Sequence, residues 1–225
     1  MKLVLFDVDG TLVDSQSIIV AAQRMTFEAH GLEPPSRERA LSIVGLSLAQ
    51  AFMDLAGPNA PIARLVATYR DVSAALRQDP AHAELLFPGA RECIEGLRHR
   101  EGVLLGIATG NTQRGVARLL DSFGWQGVFA TIQTADDAPS KPHPGMILKA
   151  MAATGASPQD TVMIGDSSFD MAMACAAGVL PVGVSWGFQP VAALTEAGAG
   201  PIVHSYGELE TVLQDFLEHP SQISA

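Results

Sequence analysis

The stretch Leu3–Ser15, LVLFDVDGTLVDS, restricts the fold of this chain more than any other segment. Its start, Leu3–Phe6, is a short apolar run with β-branched and aromatic side chains, which favours a buried strand of a parallel sheet. The run stops at Asp7 and Asp9 follows closely, so both carboxylates project to one side if the strand continues. Adjacent carboxylates repel each other unless a cation lies between them, and oxygen ligands suit Mg²⁺. The alternative is an Asp-Gly turn with solvated acids.

Beyond residue 87 the sequence alternates between apolar strands and helices. This alternation predicts right-handed β-α-β units and therefore an α/β fold with a doubly wound parallel, Rossmann-like sheet. The predicted strands are residues 103–108, 128–132, 161–164, 180–184 and 201–204. The predicted helices are residues 88–100, 112–123, 144–154, 168–177, 190–197 and 206–217. Residues 218–225 are expected to be a loosely held tail.

Residues 15–87, which we call the insert, do not follow this alternation. Ser15 or Ser17 can begin a helix that Gly31 stops, and apolar residues recur at helical spacing from Ile62 to Leu76. The pattern predicts four or so helices and no strand. We expect the insert to be an all-helical cap domain, placed after the first strand of a core that comprises residues 1–14 and 88–225. The alternative is an independent helical bundle with no part in the chemistry.

The composition is that of a folded, acidic protein, with 48% hydrophobic residues and a formal net charge of −10. Nucleic acid is a disfavoured partner, because binding it requires basic side chains against phosphates. No apolar run reaches the roughly 18 residues of a membrane-spanning helix, so we expect no membrane association. Cys93 and Cys175 form no paired motif, which indicates a reduced, cytoplasmic setting and two small core residues.

Other polar residues lie at or near the ends of predicted strands. Thr109 ends one strand, Asp166 lies one glycine beyond another, and Asp170 follows four residues later. Lys141 lies in an intervening loop. Ligands of a doubly wound sheet bind beyond the carboxyl ends of its strands, so we expect these groups to meet Asp7 there. Taken singly, Thr109 or Asp166 could be a helix cap and Lys141 a surface lysine.

Four ordered motifs resemble those of the haloacid dehalogenase (HAD) superfamily and together cover essentially the whole chain. The segment DVDGTLVDS is similar to the first motif, D-x-D-G-T-L-x-D-S. Thr109, Lys141 and the segment GDSSFD, Gly165–Asp170, resemble the second, third and fourth motifs. The insert stands where a C1-type cap belongs, and the chain looks most like phosphoglycolate phosphatase-like enzymes.

The resemblance implies a Mg²⁺-dependent phosphatase that forms a phosphoaspartate on Asp7 and hydrolyses a small phosphorylated metabolite. Asp7 and Asp166 would be metal ligands, with Asp170 acting through water. Asp9 would contribute its backbone carbonyl to the metal, and its side chain would be the general acid and base. Thr109 and Lys141 would also take part in catalysis.

The same resemblance implies a phosphate-binding group of four residues, Thr109, Gly110, Asn111 and Lys141. Substrate specificity is expected to depend on a turn of the insert that can reach the leaving group, made of Gly45, Leu46 and Ser47. A closed cap favours phosphates of roughly two to six carbons over phosphoproteins. The protein is expected to be a monomer or a homodimer.

Several alternatives stay open on the sequence. A β-phosphoglucomutase-like phosphotransferase shares the D-x-D motif and the cap. A receiver-like phosphoacceptor module, which is not an enzyme, shares acids on a parallel sheet, but its paired acids stand at the first strand end with the phosphoacceptor elsewhere. A haloacid dehalogenase needs no acid at the position of Asp9. A phosphonoacetaldehyde hydrolase uses a cap lysine, and the insert contains no lysine.

Overall fold

Six parallel strands form the central sheet of the computed structural model, which describes residues 1–218. The strands in chain order are β1 Lys2–Phe6, β2 Val13–Asp14, β3 Leu85–Leu86, β4 Val103–Ala108, β5 Thr131–Gln133, β6 Thr161–Gly165, β7 Leu180–Val184 and β8 Ile202–Val203. The sheet order is β5-β4-β1-β6-β7-β8, and β2 and β3 pair antiparallel apart from it. The predicted α/β, doubly wound parallel sheet is confirmed.

Helices cover both faces of this sheet. In chain order the helices of the described residues are α1 Gln16–Ala29, α2 Arg37–Ser42, α3 Leu48–Ala56, α4 Ile62–Leu76, α5 Ala90–Arg98, α6 Gln113–Phe123, α7 Gly145–Thr154, α8 Ser168–Ala177, α9 Val191–Glu196 and α10 Tyr206–Glu218. Of these, α1 to α4 belong to the insert and the others to the core. Val4 and Phe6 pack against α5, α6 and α10, whereas Leu3 and Leu5 pack against α7 and α8. Because both faces of the sheet are covered, β1 is apolar from Leu3 to Phe6 and does not alternate between apolar and polar residues.

The insert contributes α1 to α4 and a short 3₁₀ turn at Pro80–His82. Its helices enclose an apolar cluster of their own around Phe27, Phe52 and Leu65. The rings of Phe27 and Phe52 lie 6.1 Å apart, and Tyr69 meets Phe52 edge-on at 5.7 Å. The insert therefore has its own packing centre, separate from the two apolar layers that flank the sheet.

The prediction that the insert contains no strand is wrong at its end. Leu85–Leu86 pairs antiparallel with Val13–Asp14, so the two segments that join the insert to the core lie side by side. A strand of two residues is too short to show an alternating pattern in the sequence. The pairing fixes both connections at one place next to the first strand of the sheet.

The strand predicted at residues 128–132 lies further along the chain, at Thr131–Gln133. Trp125 and Phe129 are buried, with their rings T-shaped at 6.0 Å, and Phe123 contacts Trp125 at 5.5 Å. The apolar residues before the strand thus pack into the core as a loop, instead of pairing with a neighbouring strand. The other predicted elements of the core lie within about two residues of their observed bounds.

Three further expectations concern single residues and the chain end. Cys93 is buried as expected, but Cys175 is exposed, so its assignment to the core is wrong. Glu218 ends α10, and the tail predicted beyond it lies outside the described residues.

Within residues 1–218, none of the helices combines the length and apolar character that crossing a bilayer requires.

Candidate active site

Three neighbouring strands each end in a polar residue at the same edge of the sheet. Asp7 follows β1, Thr109 follows β4 and Asp166 follows β6, and β1 lies between the other two. Lys141 comes from the loop between β5 and α7, and Asp170 from the first turn of α8. All five are at most 2% exposed. The fold therefore brings the predicted groups together where parallel strands present their ligands.

Three carboxylates form a cluster at this edge. Asp7, Asp166 and Asp170 each offer an oxygen atom, and these atoms lie within 4.8 Å of one another. Lys141 Nζ lies 3.0 Å from Asp7 Oδ1 and 2.5 Å from Asp170 Oδ1. The surface-lysine explanation for Lys141 is therefore wrong. A single ammonium group cannot balance three buried carboxylates, so the site carries an excess of negative charge.

The pKa values of these groups respond to that excess. Burial raises the pKa of Asp7 to about 7, although the attraction of Lys141 opposes this. Burial, together with repulsion from Asp170 and Asp7, raises the pKa of Asp166 well above its usual range. Burial would lower the pKa of Lys141, but the carboxylates of Asp170 and Asp7 outweigh it and raise that pKa. A bound cation would stabilise the ionised form of both carboxylates and so lower both pKa values.

The hydrogen bonds of the carboxylates show which ones are free for a metal. Asp7 Oδ2 is buried and has no hydrogen-bond partner within residues 1–218. Asp166 accepts hydrogen bonds from Thr11 Oγ1 at 3.1 Å and from the backbone N–H of Phe188 at 2.8 Å, which leaves it further lone pairs. An oxygen-only set with an unpaired buried carboxylate oxygen fits a hard divalent cation such as Mg²⁺.

Asp170 is the most occupied of the three acids. Its Oδ1 accepts a hydrogen bond from Lys141, and its Oδ2 accepts from the backbone N–H and hydroxyl of Ser167 at 3.1 and 2.6 Å. Ser167 and Asp170 thereby form the capping box of α8, while Thr112 caps α6. The helix-cap explanations for Asp166 and Thr109 are therefore wrong. Asp170 holds Lys141 in place and has less capacity left for a metal.

Asp9 lies beside this cluster and is not part of it. Its carboxylate is partly buried and accepts a hydrogen bond from Asn111 Nδ2 at 3.2 Å. Burial raises its pKa. Gly10 follows with φ +89°, and a Cβ atom there would lie 2.3 Å from Asp166 Oδ2. Glycine is thus required both for the turn and for the close approach of Asp166.

The segment after β4 lies directly under the insert. Thr109 is buried, and its hydroxyl accepts a hydrogen bond from the backbone N–H of Asn111 at 3.3 Å. A Cβ atom on Gly110 would lie 2.4 Å from the carbonyl oxygen of Gly45 and 2.5 Å from that of Leu46. The predicted specificity turn therefore sits on the predicted phosphate-binding segment.

Ser47 plays a different part from its two neighbours. Its hydroxyl caps α3 by accepting from the backbone N–H of Gln50, and its own N–H donates to Ser140 Oγ at 2.9 Å. Gly45 and Leu46 line the cavity described below, whereas Ser47 is not among the lining residues. The serine thus fixes the turn in place, and the Ser-x-x-Gln spacing of a helix start was the signal for this role.

A cavity of about 940 Å³ lies between the core and the insert. Its floor includes Asp7, Asp9, Thr109 and Asn111, and its walls come mostly from the insert. Sequence reasoning missed several lining residues, for which no motif or spacing gave a signal: Gln23, Phe52, Tyr69, Glu84 and Arg118. It also missed Trp186 and Tyr206, whose side chains both donate hydrogen bonds to the carbonyl oxygen of Thr11 and hold the loop after Asp9.

Comparisons with known proteins agree with this geometry. The family model described as "Haloacid dehalogenase-like hydrolase" matches residues 4–184. The protein "Probable phosphatase IndB" of Dickeya dadantii is 34% identical over 210 residues, which cover 92% of this chain and 91% of that protein. A phosphoglycolate phosphatase of Chromobacterium violaceum is 31% identical, covering 96% of this chain and 97% of its own length.

More distant relatives carry other phosphatase names. A pyrophosphatase PpaX of Oceanobacillus iheyensis is 29% identical, covering 96% of this chain and 98% of that protein. Among solved structures, a hydrolase from Pseudomonas syringae superposes with a TM-score of 0.84 at 26% identity, covering 96% of this chain and 99% of that one. The similarity extends over both the sheet and the insert.

Proposed function

Because this chain belongs to the haloacid dehalogenase-like hydrolase family and is a phosphatase, we propose that it hydrolyses phosphate monoesters of small metabolites through a phosphoaspartate on Asp7. Membership of this family sets aside the receiver-domain alternative. The observation that carries the proposal is the state of Asp7. One of its buried carboxylate oxygens is paired with Lys141, and the other has no partner within residues 1–218. A nucleophile needs such an unshared oxygen.

We propose Mg²⁺ as the cofactor. Asp7, Asp166 and the backbone carbonyl of Asp9 would hold it, with Asp170 acting through water. When bound, the cation supplies positive charge against the oxygens of the phosphoryl group and the carboxylate cluster. The oxygen-only donor set and its excess of negative charge support this assignment.

The chain's own residues then divide the reaction between them. Asp7 Oδ attacks phosphorus in line, and the bond from phosphorus to the leaving oxygen breaks. Asp9, protonated, gives its proton to that oxygen and the alcohol departs. In the second step Asp9 removes a proton from water, the hydroxide attacks phosphorus, and Asp7 is released with inorganic phosphate. Partial burial and a raised pKa suit Asp9 to both transfers.

A second group of residues binds the transferring phosphoryl group. Thr109 offers its hydroxyl, Gly110 and Asn111 offer backbone N–H groups, and Lys141 offers its ammonium group. Phosphoryl transfer depends mainly on positioning and charge stabilisation, which these groups supply without chemical change. Lys141 Nζ also lies 3.0 Å from Asp7 Oδ1 in this structure.

We further propose that residues 15–87 form a cap domain and residues 1–14 with 88–225 the catalytic core, acting on metabolites in the cytoplasm as a monomer or homodimer. The turn Gly45–Ser47 would cover the phosphate and exclude water while the phosphoaspartate forms. Its contact with Gly110 supports this role.

The test is release of inorganic phosphate from p-nitrophenyl phosphate and a set of small phosphate esters, with Mg²⁺ and with EDTA. We expect turnover that EDTA abolishes and Mg²⁺ restores, and less turnover with Ca²⁺ because its larger, looser coordination misplaces the phosphate. Acid-quenched enzyme should carry substrate-derived phosphate on the peptide that contains Asp7. Phosphate release that is unchanged in EDTA, or label on another peptide, would overturn the proposal.

A further inference from the structure

One part of the cavity lining comes from the insert alone. We call it the chamber and define it by Ile18, Gln23, Ile43, Leu48, Phe52 and Tyr69. Two of these side chains are aromatic and three are aliphatic. The whole cavity, at about 940 Å³, lies within the range of roughly 300–1,000 Å³ typical of sites for drug-sized ligands. An ester of two to six carbons would leave most of the chamber empty.

Gln23 is, with the hydroxyl of Tyr69, one of two polar groups on this otherwise apolar wall. It is 3% exposed, and its Nε2 donates a hydrogen bond to the carbonyl oxygen of Ala40 at 3.1 Å. Because a carbonyl only accepts, this bond fixes the orientation of the amide. Its Oε1 is then left buried without a partner within residues 1–218. An unpaired amide oxygen is unfavourable in an apolar wall unless a ligand donates a hydrogen bond to it.

Charged groups that line the cavity outside the chamber are partly paired with one another. Glu84 Oε2 lies 3.3 Å from Arg77 Nε and 2.6 Å from Arg118 Nη2, and the Glu84 side chain is only 7% exposed. The other two arginines that line the cavity, Arg70 and Arg114, are exposed. The six side chains that define the chamber carry no charge themselves, so nothing in the chamber requires an anionic leaving group.

From these three observations we propose that the chamber binds the leaving alcohol of the substrate, and that this alcohol carries a flat, uncharged ring with an N–H donor directed at Gln23 Oε1. The inference rests on the proposed phosphatase function and names its substrate class: monoesters of nucleoside-like or other heterocyclic alcohols. Aliphatic and aromatic side chains bury the faces of the ring, and the amide oxygen of Gln23 accepts a hydrogen bond from the N–H group at its edge.

The first test is a comparison of kcat/KM between two groups of substrates in the presence of Mg²⁺. One group contains the four ribonucleoside 5′-monophosphates, inosine 5′-monophosphate and riboflavin 5′-phosphate. The other contains 2-phosphoglycolate and pyrophosphate. We expect the best heterocyclic ester to exceed both small anions by at least about tenfold. Equal or better turnover of the small anions overturns the inference while leaving the phosphatase function intact, whereas no hydrolysis of any ester, including p-nitrophenyl phosphate, overturns both.

The second test concerns the amide oxygen. Gln23→Met keeps the length of the side chain and removes the acceptor. The measured quantity is the ratio of kcat/KM for inosine 5′-monophosphate to that for p-nitrophenyl phosphate, which has a ring but no N–H donor. This ratio does not depend on the fraction of folded enzyme. We expect it to fall about tenfold, as for one lost hydrogen bond in a buried site.

Two matched controls complete this test. Gln50→Met changes an exposed glutamine of the same insert and should leave the ratio unchanged. The N1-methyl derivative of inosine 5′-monophosphate lacks the donor, so the wild-type protein should lose about tenfold with it and Gln23→Met should not distinguish the two nucleotides. A wild-type protein that treats both nucleotides alike, or a Gln23→Met variant with an unchanged ratio, overturns the inference.

Discussion

The core and the insert contribute to one cavity in different ways. The core contributes charged and hydroxyl groups that stand directly after strands, such as Asp7, Thr109 and Asp166. Hydrogen bonds from Thr11 and Phe188 fix the orientation of the Asp166 carboxylate. The insert contributes mainly apolar side chains from three helices and a loop, and no member of the carboxylate cluster. The proposed function thus assigns bond chemistry to the sheet, and recognition of the leaving group to a separate layer that can vary without disturbing it.

Single hydrogen bonds join the insert to the core, whereas apolar packing holds each of them together internally. The backbone N–H of Ser47 donates to Ser140 Oγ at 2.9 Å, and Gln189 Nε2 donates to the carbonyl oxygen of Ser42 at 3.0 Å. Each such bond contributes only about 0.5–1.5 kcal/mol. The insert also has its own apolar cluster, so its helices pack independently of the core. The predictions below test how separate the two layers are.

The largest effect is expected at the centre of the core. Asp7→Asn removes the proposed nucleophile and should lower kcat by about 10⁴-fold or more. The Tm should stay the same or rise, because the change also removes a charge from an overfilled carboxylate cluster. Phosphate release and thermal unfolding measure the two results. Asp14→Asn, at an exposed acid of the same sequence stretch, is the control and should retain activity. Activity near that of the control would end the assignment of Asp7.

A smaller effect is expected at the second acid of the motif. Asp9→Asn should lower kcat by about 10²–10⁴-fold, since general acid and base assistance is lost. Mg²⁺ affinity should stay close to that of the unchanged protein, because the side chain of Asp9 lies outside the carboxylate cluster. Calorimetric titration with Mg²⁺ measures the affinity. A variant that loses Mg²⁺ affinity but keeps its kcat would place this carboxylate on the metal.

The sequence could reveal the core layer because its signals are local. Asp7, Thr109 and Asp166 each interrupt an apolar run, so strand ends and chemistry were visible together. The same reasoning assigned Lys141 to this edge without showing that Asp170 fixes it, which depends on a contact across 29 positions. Ser47 was given to the substrate although its spacing to Gln50 is that of a helix cap.

The insert was predictable as helices but not as a wall of the cavity. Gln23 lies within an amphipathic helix, and only the contact of its amide with Ala40 shows that one oxygen is left without a partner. Glu84 and Arg118 pair across 34 positions, and the two-residue strand Leu85–Leu86 is defined only by its partner. Such features arise from tertiary packing, which leaves no periodic signal in a single sequence.

Stability should also depend on pH through the core layer. The pKa of Asp7 rises from 3.8 to about 7 on folding, so the folded protein binds more protons than the unfolded chain between these values. The metal-free protein should therefore lose stability, on the order of a few kcal/mol, as pH rises through this window. Tm values in EDTA at pH 5 and pH 8 measure the loss, and Mg²⁺ should restore the higher value at pH 8. Asp7→Asn should reduce the dependence. A Tm in EDTA that increases with pH would show that the carboxylate cluster does not determine the pH dependence of stability.

The smallest effect is expected where the two layers touch. A methyl group added at Gly110 would lie 2.4 Å from the carbonyl oxygen of Gly45 and 2.5 Å from that of Leu46. Both oxygens are backbone atoms, so no side-chain rotation can relieve the clash. Gly110→Ala should therefore lift the turn from the core and lower kcat/KM for esters that fill the cavity by about tenfold, while p-nitrophenyl phosphate, which needs less of the insert, changes by less. Gly96→Ala, at an open helical position, is the control and should change neither. An equal loss for all substrates would mean that the turn takes part in bond chemistry, and that the core and the insert do not divide the work as the structure indicates.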